Sequence, residues 1–128
     1  MQSQGVIVDA ASGVSGAGRA LKHGSLFSTV DEDFTAYGLL DHRHTPEIEQ
    51  VTGAQVLFTP HLAPMNRGIL ATCYARPQGD APTTASLLAS LATFYKDEPF
   101  IVVRPQVPST KATLGTNTVH ITARYDER

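Results

Sequence analysis

The stretch Ala54–Arg76 reads AQVLFTPHLAPMNRGILATCYAR. Two strand-like runs, Ala54–Leu62 and Gly68–Arg76, flank the loop APMNR, and a proline and a glycine sit near the loop's ends. Upstream, Gly5–Ser12 (GVIVDAAS) has the short β-branched apolar run of a mostly buried strand, and Phe34–Leu40 (FTAYGLL) reads as another. A short helix is expected after Phe34–Leu40 and before Ala54, with Thr45 as N-cap, Pro46 at the first helical position, Glu47 in the first turn and Gly53 as the stop. Downstream, Leu87, Leu88, Leu91, Phe94 and Tyr95 recur at the spacing of one helical face, predicting a helix over 83–96 that Pro99 ends. FIVVRP at 100–105 is strand-like. In NTVHITARYDE at 117–127, Val119, Ile121 and Ala123 alternate with Thr118, His120 and Thr122, as in a sheet with one covered face. Strands with few helices point to an α+β layer structure: a mixed, largely antiparallel sheet with helices on one face. The other face needs a cover, either a second copy of the chain or parts of a longer one.

At 128 residues the chain is about one domain with a single core. The net charge of −2 and the lack of a basic patch interleaved with aromatics exclude nucleic-acid binding as the expected class. No window is apolar and long enough for a membrane span, and the N-terminus has no basic region followed by an apolar run. A cytosolic setting is the default. One cysteine, Cys73, rules out an internal disulfide framework. Its place among apolar strand neighbours predicts a buried, unreactive thiol rather than a nucleophile.

Three places carry chemistry. The turn GVSGAG at 13–18 is G-x-x-G-x-G, not the G-x-G-x-x-G of a dinucleotide fold, nor a nucleophile elbow, because Ala17 stands where a glycine is needed. It suits either a flexible turn or a cradle offering backbone N–H groups and the Ser15 hydroxyl to an anion. In DHRHTPEIEQ at 41–50, an extended backbone would set His42 and His44 on one side and Arg43 opposite. Zinc would need a third ligand such as His61 or His120. Acid/base work suits the pair better, with the helix start and Glu47 available to set tautomer and charge, while packing or solvation of the two rings is the plain alternative. Arg67, on a loop at a strand entrance, suits a carboxylate or phosphate clamp or an ordinary solvated position.

Taken together, VDAASGVSGAGR, DHRHTPEIEQ, FTPHLAPMNRGILATCYA and, more weakly, LGTNTVHI resemble N-acetyl-gamma-glutamyl-phosphate reductase, an NADP-dependent family of arginine biosynthesis. At fold level the chain is similar to aspartate-semialdehyde dehydrogenases, which share the SGAG-like turn. The resemblance implies a glyceraldehyde-3-phosphate dehydrogenase-like C-terminal domain. It further implies that 1–128 is the substrate-binding and dimerisation domain, without the N-terminal Rossmann domain, the nucleophilic cysteine in G-C-Y-P-T or the final helix. Cys73-Tyr74 is followed by Ala75 and Arg76 instead of Pro-Thr, so it is not that cysteine. In the whole enzyme a cysteine thiolate attacks the acyl phosphate, phosphate leaves, and hydride from NADPH reduces the thioester to a thiohemiacetal that collapses to N-acetylglutamate semialdehyde.

By the family pattern, one of His42 and His44 lowers the cysteine's pKa and handles the proton on the oxyanion, with His42 the expected acid/base. Arg43 and Arg67 are expected to bind the substrate's carboxylate and phosphate, and Ser15 and Gly16 to approach NADP. Asp41 stands where many relatives have a glycine. The resemblance thus implies an acyl-phosphate substrate, a homo-oligomer through the sheet face, no metal, and no turnover by this chain alone. A non-catalytic dimerisation module and a histidine-based metal site are the alternatives.

Overall fold

The computed structural model describes residues 4–128, which divide into two compact units, 4–78 and 79–128. In the first unit, β1 (Val6–Ser12) leads through a short 3-10 turn at Val14–Ala17 and a single helical turn, α1 (Phe27–Val30), to β2 (Thr35–Ala36). Then follow α2 (Thr45–Thr52), β3 (Val56–Leu62) and β4 (Ile69–Tyr74). The sheet order is β2-β3-β1-β4. β1 and β3 run parallel with Val6 opposite Val56, while β1–β4 and β2–β3 are antiparallel. The sheet is therefore mixed, with two of its three pairings antiparallel, and with the helices the architecture is α+β.

Alternation along these registers divides the sheet into two faces. Val6, Val8, Val56 and Phe58 share one face, where they pack with Ala54 and with Ile48 of α2 into the main apolar cluster. Helix α2 is closed by Gly53, whose φ of 64° is left-handed and whose N–H donates to the Glu49 carbonyl at 2.9 Å. The Glu49 side chain then accepts the Val56 N–H at 2.9 Å, tying the helix to the start of β3. The opposite face carries Ile7, Leu57, Leu70 and Tyr74, all exposed.

Three expectations change in this unit. The Phe34–Leu40 strand survives only as Thr35–Ala36, because Gly38 (φ 57°) and Leu40 (φ 65°) turn the backbone out of extended geometry. The N-cap of α2 is His44 rather than Thr45; the Thr45 N–H donates to the His42 carbonyl at 3.0 Å and starts the helical winding one residue early. Cys73 is exposed instead of buried, since all six residues of β4 are exposed on an edge strand.

In the second unit, α3 (Thr84–Phe94) begins at the expected Thr83, whose hydroxyl accepts the Ser86 N–H at 3.0 Å while the Ser86 hydroxyl accepts the Thr83 N–H at 2.9 Å. Leu87, Leu88, Leu91 and Tyr95 are half-buried, but Phe94 is exposed. β5 (Ile101–Val103) and β6 (Val119–Ile121) form a two-stranded parallel sheet. The expected one-sided alternation in β6 is not observed: Val119 is exposed, whereas His120, Ile121, Thr122 and Ala123 are all half-buried. No helix among the described residues is long and apolar enough to cross a membrane.

Candidate functional site

Parallel pairing of β1 and β3 brings their carboxyl ends together, where ligands commonly bind in sheets of this kind. From Ser12 the chain enters the glycine-rich turn; from Leu62 it enters the loop that holds Arg67. The two segments are laced by backbone bonds from Gly13 N–H to the Gly68 carbonyl (2.9 Å), Val14 N–H to Met65 (3.0 Å) and Ser15 N–H to Asn66 (3.1 Å). Gly13 is required by this approach, because a Cβ there would stand 2.8 Å from the Arg67 backbone nitrogen. A shallow groove of about 480 Å³ results, lined by Ser15, Arg19, Ser25, Asn66 and Arg67 among others.

Ser15 and Arg67, expected to bind different ligands, therefore share one groove. The turn does not act as an amide cradle at these positions. The Gly16 N–H donates to Gly13 at 3.2 Å and the Gly18 N–H to Ser15 at 3.3 Å, so these amides, like those of Gly13, Val14 and Ser15, are spent within the protein. What the groove offers an anion is side chains: two guanidinium groups and the Ser15 hydroxyl, the Ser25 hydroxyl being donated to the Lys22 carbonyl at 3.0 Å, with no carboxylate in the lining. Arg19 and Ser25 carried no signal in the sequence, because no periodicity fixes where side chains after a glycine-rich turn point.

The histidine pair lies elsewhere in the same unit. Residues 39–44 form turns instead of an extended segment, so the alternation argument fails, yet His42 and His44 meet edge-on with ring centroids 4.9 Å apart. His42 is half-buried against Phe58 of β3 (5.2 Å) and Tyr37 (5.6 Å), whereas Arg43 and His44 are exposed. Its Nδ1 accepts the His44 backbone N–H at 3.3 Å; Glu47 is not its partner. Partial burial holds the His42 pKa below its ordinary value, helped by His44 and Arg43 and opposed by Asp41. No three His, Cys, Asp or Glu side chains among the described residues stand together as metal ligands. His61 stacks on Phe34 at 5.1 Å, and His120 approaches Arg104 at 3.4 Å. The Cys73 thiol is pushed above its ordinary value by the atoms crowded around it, even though the residue is exposed.

A family model described as semialdehyde dehydrogenase, dimerisation domain, matches residues 1–128. Proteins named N-acetyl-gamma-glutamyl-phosphate reductase are similar along nearly the whole chain. The one from Acidothermus cellulolyticus is 50% identical over 95% of this chain and 38% of its own length. That from Symbiobacterium thermophilum is 47% identical over 100% and 39%, and that from Rhodopirellula baltica 42% over 97% and 39%. The chain thus spans about two-fifths of the length of these curated relatives.

Proposed function

The chain belongs to the semialdehyde dehydrogenase dimerisation-domain family, and from that membership we propose that it is the substrate-binding and dimerisation part of an N-acetyl-gamma-glutamyl-phosphate reductase. In this reading its fold is the C-terminal domain of the glyceraldehyde-3-phosphate dehydrogenase type, and it works in arginine biosynthesis in the cytoplasm. The observation that carries the reading is the groove, where Ser15 and Arg67 converge with Arg19 and no acid lines the wall. Such a wall suits the phosphate or carboxylate of an acyl-phosphate substrate, since each rewards a forked donor.

The same side chains fit a phosphate of NADP, with Ser15 the contact and Gly16 next to it; the bare Cα of Gly16 makes room for the Ser12 hydroxyl, which a Cβ there would meet at 3.0 Å. NADPH, when bound, supplies the hydride. The dinucleotide fold and the nucleophilic cysteine come from the rest of the enzyme, because neither motif occurs in these 128 residues. His42 and His44 serve the oxygen and sulfur of the reacting acyl group, and exposed Arg43 is placed to meet a substrate carboxylate.

The exposed apolar face of Ile7, Leu57, Leu70 and Tyr74 supports pairing of two copies of the domain. A purely structural dimerisation module would use this face and nothing else. Complementation separates the two readings. The chain alone should not oxidise NADPH with N-acetylglutamyl phosphate, and mixing it with the complementary portion of a relative should restore turnover. Persistent silence of a stably assembled mixture would favour the module.

A further inference from the structure

We propose that His42 works through its Nε2–H as a hydrogen-bond donor, and that Gly38 is the positioning residue that holds the ring in that role. The amide N–H of His44 points at His42 Nδ1 from 3.3 Å, and only a nitrogen with a free lone pair accepts such a bond. The neutral ring therefore keeps its proton on Nε2. Around it, Phe58, Tyr37 and His44 pack edge-on with interplanar angles of 71°, 66° and 72°, which fixes the plane of the imidazole.

Gly38 closes the remaining side. Its φ of 57° is left-handed, and a Cβ built there would lie 2.9 Å from His42 Cδ2 and 3.3 Å from His42 Cβ. Cδ2 is the ring carbon bonded to Nε2, so any side chain at 38 presses on the edge that carries the working proton. The ionisable groups around the ring are Asp41, Arg43 and His44 on its own segment and Tyr37 from the preceding turn; β3 contributes only apolar Phe58. The balance of these groups with partial burial favours the neutral ring.

A neutral imidazole with Nε2–H stabilises an oxygen that gains negative charge, as an oxyanion-hole donor does, without giving the proton up. It has no positive charge with which to lower a thiol pKa and no lone pair on Nε2 to take the thiol proton. Both tasks pass to exposed His44. The identity of the oxygen rests on the reductase reading, whereas the tautomer and the role of Gly38 do not.

The test is a long-range proton–nitrogen NMR spectrum of the 15N-labelled chain as a function of pH. At neutral pH His42 should show a protonated Nε2 and an unprotonated Nδ1, and should titrate below its ordinary value of 6.5. Gly38→Ala should blur this pattern into a tautomer mixture and move the titration back towards the ordinary value. An Nδ1–H ring or an imidazolium in the unsubstituted chain at neutral pH overturns the proposal. So does an unchanged His42 spectrum in a folded Gly38→Ala variant. If that variant does not fold, the spectrum of the unsubstituted chain alone decides the tautomer, and folded Tyr37→Ala tests the cage by the same loss of pattern. Failure of the reductase reading shows in complementation and leaves these spectra untouched.

Discussion

Cys73 shows what a single residue can hide. Its apolar neighbours in ILATCYAR predict burial, but burial depends on what covers β4, and within this chain all six residues of that strand are exposed. The chemistry is nevertheless the one expected, because local crowding disfavours the thiolate. Alkylation by iodoacetamide should therefore follow a pH profile with its midpoint above the ordinary thiol value of 9.0; a midpoint at or below that value would show an activated thiol. His42 makes a second residue-scale prediction. Its pKa is lower in the folded chain than the unfolded value of about 6.5, so as the pH falls the unfolded state binds the proton first. The stability it contributes is fully present above pH 6.5 and is lost as the pH falls through the folded pKa. His42→Gln should flatten the acid side of a plot of Tm against pH, and parallel slopes for the two proteins would refute the assignment. The residue types at 42 and 44 were legible in the sequence; their neighbours Tyr37, Gly38 and Phe58 were not, because that cage forms only when a turn is folded onto β3.

At the scale of elements, the strands next to the glycine-rich turn and the Arg67 loop, and both longer helices, could be read directly. Val6–Ser12, Val56–Leu62 and Ile69–Tyr74 follow the apolar runs, and Thr83 caps α3 as its place before a periodic face suggests. Errors gathered where backbone conformation, not apolar pattern, decides. Leu40 takes a left-handed φ that its side chain gives no hint of, which cuts β2 to two residues and turns HRH out of a strand. The join between the glycine-rich turn and the Arg67 loop is another such place, since its contacts are backbone to backbone. Gly13→Ala should cost about 1–3 kcal/mol, the usual penalty for overpacking a closed site, because the new Cβ meets the Arg67 nitrogen at 2.8 Å. Urea unfolding measures it. A loss smaller than a few tenths of a kcal/mol would mean that the loop moves freely away, and the backbone bonds between turn and loop would not hold the groove together.

At the scale of the molecule, the core is small and the apolar exterior is large. Among the described residues the buried apolar ones are Val6, Ala10, Val30, Ala54, Val56 and Ala63, with Pro60 the most completely buried, all in the first unit, while Ile7, Leu57, Leu70 and Tyr74 line an open sheet face. One face of the sheet was expected to need a cover, and the division into two units was not, because apolar periodicity reports faces rather than how elements group. Sedimentation should find the chain associated. Leu57→Lys with Tyr74→Lys should shift it to monomer by placing two like charges on either side of Ile7 on that face, whereas an unchanged mass would put the contact elsewhere. The central claim, that this chain is the substrate-binding part of an acyl-phosphate reductase, is tested most directly by transplanting it. The 128 residues replace the matching segment of a full-length relative, and NADPH oxidation is followed with N-acetylglutamyl phosphate. Turnover within about tenfold of the relative's is the predicted result, falling by about a hundredfold or more with His42→Ala, the range expected for a lost transition-state donor. A folded chimaera without turnover, or one indifferent to His42, would contradict the account.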